Sequence, residues 1–285
     1  MSVLKIAIQK SGRLSDDSKK LLEECGIKFS NGAGVLIATS RNFPVELLFL
    51  RDDDIPQYVA DGVADAGIIG EDVLRESGYP LEVVYRLGFS KCHLSIAVPK
   101  EQNYSGLKWL NGKRIATSFP NILRTFLAEN QIEAEIHFLN GSVEIAPAIG
   151  LADCIFDIVS SGSTLISNGL KETEVVMQSE AVLVAAPGIS EEKREILDNF
   201  LFRIKSVLAA RDNKYILLNA PNDKLEEICR VLPGMKSPTV VPLAMEGWSS
   251  VHSVLSESEF WNIINQLREA GAQGILVIPI EKMIL

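Results

Sequence analysis

The chain has 285 residues, 47% of them apolar and 23% charged, with a net charge of −9 from 28 basic and 37 acidic side chains. That length is enough for more than one hydrophobic core, and the acidic balance argues against general nucleic-acid binding. No apolar run reaches the roughly 20 residues that span a bilayer, which points to a protein with no membrane partner.

Val3 to Gln9 reads as a strand. Lys10-Ser-Gly-Arg-Leu14 then turns into a helix from about Ser15 to Cys25, with Ser15 and Asp16 suited to its start and Gly26 to its end. Lys10 and Arg13 put two cations around Gly12 beside a helix start. This fits an anion site for phosphate or pyrophosphate; it also fits a solvated basic turn, the commoner case for such a turn taken alone. Val45 to Leu50 is a strand ending in Arg51-Asp-Asp-Asp-Ile-Pro56. There the acids fit the positive end of a helix that runs to about Asp61, and capping is read ahead of any ligand role. Ala64 to Ile69 is a strand that Gly70-Glu-Asp-Val-Leu74 again turns into a helix. Strands alternating with helices across short loops predict a layered α/β fold.

His93 to Val98 is a strand, and the polar stretch Glu101 to Gly112 reads as a crossing to a second lobe. Lys113 to Thr117 is a strand, followed by a helix to about Asn130. Glu135 to Leu139 is a strand, and Asn140-Gly-Ser-Val-Glu144 leads into a helix through Ile149. Cys154 to Val159 is a short β-branched run with one acid, Asp157, at its carboxyl end, where open α/β sheets place their ligands. Ser160-Ser-Gly-Ser-Thr164 follows directly, and Leu165 opens a more helical stretch. A strand, a loop of small hydroxylic residues and a helix start can cradle a phosphate with free N–H groups and a favourable dipole. Gly162 lets the backbone approach, and the hydroxyls of Ser161, Ser163 and Thr164 can donate. A carboxylate does not bind phosphate but does accept from sugar hydroxyls, so the stretch points to a ribose 5-phosphate site. An ordinary loop with Asp157 as a turn former is the bland alternative; an acid inside an apolar strand weighs against it.

Val182 to Ala186 carries the chain back, so two lobes joined by two crossings leave a cleft between them. Residues 1–95 and 180–212 are read as the first lobe and 96–179 as the second. Glu191 to Asp212 is an amphipathic helix with a structural apolar face. From Tyr215 onward the order is β-α-β-β-α-β, the ferredoxin-like signature, and residues 213–285 carry no cluster of acids, bases or nucleophiles. That unit is read as a regulatory or assembly module.

Cys25, Cys92, Cys154 and Cys229 are scattered without a Cys-x-x-Cys, as expected of reduced thiols in a cytoplasmic protein. The N-terminus is too soon interrupted for a signal peptide. His93, His137 and His252 are isolated, which argues against a histidine-based metal site. The loop at 160–164 lacks the Gly-Lys-Ser/Thr ending of an ATPase phosphate loop.

Several of these segments resemble one family along the whole chain: Gln9-Lys-Ser-Gly-Arg-Leu14, Arg51-Asp-Asp-Asp-Ile-Pro56, Gly67-Ile-Ile-Gly-Glu-Asp72, Asn111-Gly-Lys-Arg-Ile-Ala-Thr117, Asn140-Gly-Ser-Val-Glu144, Gly150-Leu-Ala-Asp with Ser-Gly-Ser-Thr-Leu165, and Ile278-Pro-Ile-Glu-Lys-Met283. The sequence resembles the long form of ATP phosphoribosyltransferase. The resemblance implies a bilobal catalytic part like a type II periplasmic binding protein, followed by a C-terminal regulatory domain. It implies that ATP and phosphoribosyl pyrophosphate give phosphoribosyl-ATP and pyrophosphate with Mg²⁺, as the first step of histidine biosynthesis. Asp157 would hold the ribose hydroxyls, and Ser160, Ser161, Gly162, Ser163 and Thr164 the 5-phosphate. Lys10, Gly12 and Arg13 would lie near the pyrophosphate and nucleotide phosphates, and Glu71, Asp72 and Glu144 would line the cleft. The family is inhibited by histidine and AMP and forms dimers and hexamers, and its effector pocket maps to Asn219, Met235, Ser237, Thr239 and Gly274. Two other classes compete: a binding protein without chemistry, and a ligand-binding regulator.

Overall fold

Leu4, Ile6, Ala7 and Ile8 all lie at 0% exposure. Burial on both faces of one strand is the mark of a sheet covered on each side by helices. This strand, β1 (Leu4–Gln9), opens a computed structural model that describes residues 2–30, 34–160 and 162–285. The chain forms two units, Met1–Leu197 and Asp198–Leu285.

In the first unit, β1 is followed by α1 (Arg13–Glu24), β2 (Ile37–Thr39), β3 (Val45–Leu50), α2 (Ile55–Ala60), β4 (Ala66–Gly70), α3 (Glu71–Ser77) and β5 (Glu82–Arg86). Next come β6 (Cys92–Pro99), β7 (Arg114–Thr117), α4 (Pro120–Glu129), β8 (Glu135–Phe138), β9 (Cys154–Val159), α5 (Ser163–Ser167), β10 (Leu170–Ser179) and β11 (Ala181–Ala185). One sheet has the order β2-β3-β1-β4-β11-β5 and the other β10-β6-β9-β7-β8. Each contains a parallel trio, β3-β1-β4 in one and β8-β7-β9 in the other. Beside each trio lies an antiparallel strand that has come through a crossing, β11 in one and β6 in the other. An outer strand, β5 or β10, completes each set. This doubled, exchanged topology is the architecture of the type II periplasmic binding proteins.

The crossings are the short stretches 87–91 and residue 180, between strands of different sheets. The stretch 101–112 is therefore not a crossing. Its Leu110 is buried in the second-lobe core, with Tyr104, Leu107 and Trp109 packed against it. Likewise, a lobe boundary at residue 95 divides β6, which belongs wholly to the second sheet.

Other expectations change for local reasons. The helix predicted from Ser15 begins at Arg13 and is entered through Gly12 at φ 97°, while Ser15 is buried. The helix expected after Asn140 shrinks to a 3-10 turn, Val143–Ile145, with Pro147, which lacks an N–H, two residues on. The helical stretch from Leu165 starts earlier, at Ser163, and ends after five residues, with Gly169 at φ 71° behind it. The long strand that follows, β10, is disguised in the sequence by bulges at Glu172/Glu174 and Val175/Met177, which break its alternation.

The helix α6 (Glu191–Arg211) runs from the first unit into the second. The second unit continues with β12 (Asn213–Pro221), α7 (Leu225–Val231), β13 (Thr239–Pro242), β14 (Trp248–Ser256), α8 (Glu257–Glu269) and β15 (Gln273–Pro279). Its sheet order, β13-β14-β12-β15, is antiparallel throughout, as in a ferredoxin-like fold. Ile216, Leu218, Ala220, Val251 and Leu255 bury one face of that sheet with Ile228, Phe260 and Leu267 of the helices. Among the described residues, no helix is long and apolar enough to cross a membrane.

Candidate active site

Pairing of β9 with its parallel neighbour β7 ends at Thr117 and Phe156. Asp157 is the next residue, at the carboxyl end of the strand. Its neighbours on that face, Ile155, Val159 and Ala97, belong to an apolar core, which explains the state of the acid. Burial first, then the negative charge of Glu144, pushes the Asp157 carboxyl up to about 6, against the Ile158 N–H that donates to its Oδ1 at 2.8 Å. Glu144 lies in the 3-10 turn that follows Ser142 at φ 50°.

Immediately after β9 come Ser160, exposed, and Gly162 at φ 72°, the N-terminal boundary of α5. The positive φ is a conformation glycine adopts without strain. Ser163 and Thr164 open α5 and are exposed; Ser161 lies outside the described residues. With a helix this short, an anion here relies on loop N–H groups and hydroxyls more than on a helix dipole.

Two side chains not predicted for the site join this row. Directly opposite residues of an antiparallel pair share a face, and Ser95 is opposite Asp157. Ser95 is 1% exposed and donates to Glu172 Oε1 at 2.7 Å, the same oxygen that His93 Nε2 meets at 2.7 Å. His93 had been legible only as an isolated histidine, because its acid partner lies 79 residues away.

On the first lobe, Lys10 and Arg13 are exposed at the end of β1 and the start of α1. The Lys10 N–H donates to the Leu50 carbonyl at 2.9 Å, which ties the turn to β3. Arg13 acts on the same neighbourhood as Asp72: burial and the Asp72 charge push the Cys92 thiol up, while a Ser179 hydrogen bond and the Arg13 charge pull it down. Asp72 is 5% exposed. Its N–H donates to Ser179 Oγ at 3.0 Å, and Ser179 Oγ donates back to its Oδ1 at 2.7 Å. That links α3 to the last residue of β10 beside a crossing. A Cβ at Gly70 would lie 2.2 Å from Asp72 Oδ1, so any larger residue there would displace the carboxylate from Ser179.

Glu71 has a different occupation. It is 4% exposed, its two oxygens take Arg86 Nη1 at 2.5 Å and Nη2 at 2.8 Å, and the Arg86 hydrogen bond holds its carboxyl below the usual range. Of the three acids expected to line the cleft, Asp72 borders the cavity between the lobes, whereas Glu71 and Glu144 do not. This cavity, of about 440 Å³, has Asp52, Asp53 and Val73 on one wall and Ser118, Phe119, Phe138, Asn140 and Ile158 on the other. Asp52, Asp53 and Asp54 form the first turn of the 3-10 helix that leads into α2, as expected from the sequence, although neither N-cap residue, Arg51 or Asp54, makes a side-chain cap hydrogen bond. Asp52 Oδ1 is buried without a partner. Burial, then Asp72 and Asp53, pushes its carboxyl up to about 6.

In the second unit, Asn219 and Gly274 are neighbours: a Cβ on Gly274, at φ 57°, would come within 3.2 Å of Asn219 Nδ2. Thr239 pairs with His252 and Asn219 with Ser250, so all four share the sheet face turned away from α7 and α8, with β14 between Thr239 and Asn219. Met235 and Ser237 are exposed on the turn leading to Thr239. His252 is held on that face by Tyr215 Oη at 2.7 Å and Ser250 Oγ at 3.0 Å.

Comparison with known proteins bears on this geometry. Residues 51–206 match the family model described as HisG, ATP phosphoribosyltransferase, and residues 210–282 match the one described as HisG, C-terminal domain. The ATP phosphoribosyltransferase of Cytophaga hutchinsonii is 62% identical over 99% of both chains. That of Phocaeicola vulgatus is 60% identical over 99% of this chain and all of its own. A solved chain from the ATP phosphoribosyl transferase (HisG:HisZ) complex of Thermotoga maritima superposes with a TM-score of 0.64 at 31% identity, covering 73% of this chain and 99% of that one. The chain belongs to the ATP phosphoribosyltransferase family, transferases of the first step of histidine biosynthesis.

Proposed function

We propose that the chain transfers the phosphoribosyl group of phosphoribosyl pyrophosphate to N1 of ATP and releases pyrophosphate. The observation that carries the reading is Asp157: an acid buried in an apolar strand end and followed at once by Ser160 and Gly162. Its carboxylate accepts hydrogen bonds from the ribose hydroxyls. Ser160 to Thr164 take the 5-phosphate with N–H and hydroxyl donors.

The anomeric carbon gains positive charge as pyrophosphate departs, and the departing group gains negative charge. Lys10 and Arg13, with the backbone N–H of Gly12, hold that growing charge. Interactions that strengthen as the bond breaks raise kcat and not only affinity. Asp72 borders the nucleotide, Glu144 lies nearer Asp157, and the apolar lining of Val73, Phe119, Phe138 and Ile158 suits the faces of a purine. Holding N1 in line with the anomeric carbon is the other main contribution; no protein nucleophile is needed.

Mg²⁺ characteristically binds through one or two carboxylates plus substrate phosphates. Asp52, with its unpartnered buried oxygen, and Asp72 beside it fit that role. The ion neutralises phosphate charge when bound. We further propose that histidine binds the second unit through Asn219, Met235, Ser237, Thr239 and Gly274 and inhibits the reaction, that AMP competes in the cleft, and that the protein works as a homo-oligomer in the cytoplasm. The test is formation of phosphoribosyl-ATP, followed by its absorbance, from ATP and phosphoribosyl pyrophosphate. A folded protein that forms none overturns the reading.

A further inference from the structure

The helix α4 begins the second lobe's wall of the cleft, and its start is completed from the first lobe. The opening N–H groups of a helix have no partner within it. Pro120 has none to offer, and the residue before it, Phe119, provides no side-chain cap. The N–H of Asn121 donates instead to both carboxylate oxygens of Glu76, at 2.9 and 3.1 Å, and the N–H of Ile122 donates to Oε2 at 3.0 Å. Asn121 Nδ2 donates to the Glu76 carbonyl at 2.9 Å. Glu76 is on α3, which follows β4 of one sheet; α4 follows β7 of the other. The negative carboxylate therefore sits at the positive end of a ten-residue helix, and four hydrogen bonds join the lobes across the cavity that both Glu76 and Pro120 border.

Arg124 Nη1 donates within the second lobe to Asn121 Oδ1 at 2.8 Å; among the described residues, the bridge at the start of α4 is made by Glu76. Its geometry also explains why α4 starts at Pro120 without a Ser, Thr or Asp of its own.

We infer that Glu76 is a positioning residue, a latch that holds the two lobes together over the cleft and sets the affinity of every ligand that touches both. An unlatched chain populates the open arrangement, and the apparent affinity for a two-lobe ligand falls by the fraction still closed. The ligands named below rest on the proposed function, but the latch itself is read without them.

The experiment compares Glu76→Ala and Glu76→Gln with the parent in two measurements. Hydrogen exchange needs no substrate: in Glu76→Ala the amides of Asn121 and Ile122 should exchange about tenfold faster or more, while the core amides of β1 and β7 keep their protection. Binding of ATP and of phosphoribosyl pyrophosphate should weaken together, by a common factor of about ten for a closed fraction reduced to about a tenth, with kcat at saturation falling less than KM rises. The glutamine variant, which keeps an acceptor oxygen, should lie between the two. Unchanged exchange at Asn121 and Ile122 would overturn the latch whatever the chain's activity. Loss of affinity for one substrate alone would make Glu76 a direct contact, and tighter binding would make its carboxylate a competitor for the helix start; either result overturns the inference.

Discussion

Replacing Asp157 by Asn separates what the acid costs the fold from what it gives the ligand. Asparagine keeps the shape and an oxygen for the Ile158 N–H, now bonded at 2.8 Å, but cannot ionise. In the folded chain the carboxyl moves from 3.8 to about 6, which corresponds to about 3 kcal/mol of strain on the ionised form, an upper figure given its remaining exposure. The sign follows from proton binding. The folded state holds this proton to higher pH than the unfolded one, so stability is highest below 3.8, falls as pH rises to about 6, and stays lower by a constant amount above. Asp157→Asn should therefore melt higher than the parent near pH 8, with the difference vanishing near pH 4. Its affinity for phosphoribosyl pyrophosphate should fall, because a charge-assisted hydrogen bond contributes about 1.5–3 kcal/mol, or roughly 10- to 150-fold. Parent affinity should also weaken as pH drops through about 6, where the carboxylate is lost. Melting curves at the two pH values and isothermal titration with phosphoribosyl pyrophosphate read both effects. A variant that is less stable near pH 8, or that binds as the parent does, refutes the reasoning.

Arg13→Ala should lower kcat as well as affinity if the guanidinium meets charge that grows during the reaction; initial-rate kinetics that change KM alone would reduce it to a binding residue. Asp52→Asn removes the negative charge of an acid raised to about 6 by burial and its acidic neighbours. It should melt higher near pH 8, by at most about 3 kcal/mol of stability, and need more Mg²⁺ for half-maximal rate; an unchanged Mg²⁺ titration would remove Asp52 from that role. Thr239→Ala should weaken histidine inhibition while leaving the uninhibited rate near normal, since coupling between sites is typically about 1–3 kcal/mol; superimposable inhibition curves would take Thr239 out of the effector site.

Local chemistry explains which parts of the molecule could be read in advance. The strand at Val45–Leu50 and the C-terminal β-α-β-β-α-β order follow from apolar runs bounded by turn residues, and both stand in the structure. Asp157 was legible because a charge in an apolar strand is conspicuous within six residues. The crossing at 87–91 was hidden because polarity marks exposed loops in general, and the polar stretch at 101–112 covers a buried Leu110. β10 was hidden by its bulges. Glu71 and Asp72 looked equivalent in sequence. Arg86, fifteen residues on, claims the first, and Ser179, 107 residues on, holds the second at the cleft. The acids at 52–54 occupy the first turn that their sequence suits, but that rule fits all three equally well, and only packing decides that Asp52 turns inward. The partnership of His93, Ser95 and Glu172 requires the antiparallel pairing of β10 with β6, a contact no local pattern encodes.

The measurement closest to the central claim is a product assay on the intact chain with ATP, phosphoribosyl pyrophosphate and Mg²⁺, following phosphoribosyl-ATP by absorbance and pyrophosphate in parallel. The two products should form in equal amounts, with Asp157→Asn folded yet strongly impaired at low phosphoribosyl pyrophosphate. Pyrophosphate release without the ATP adduct, or full activity in Asp157→Asn, would contradict that claim.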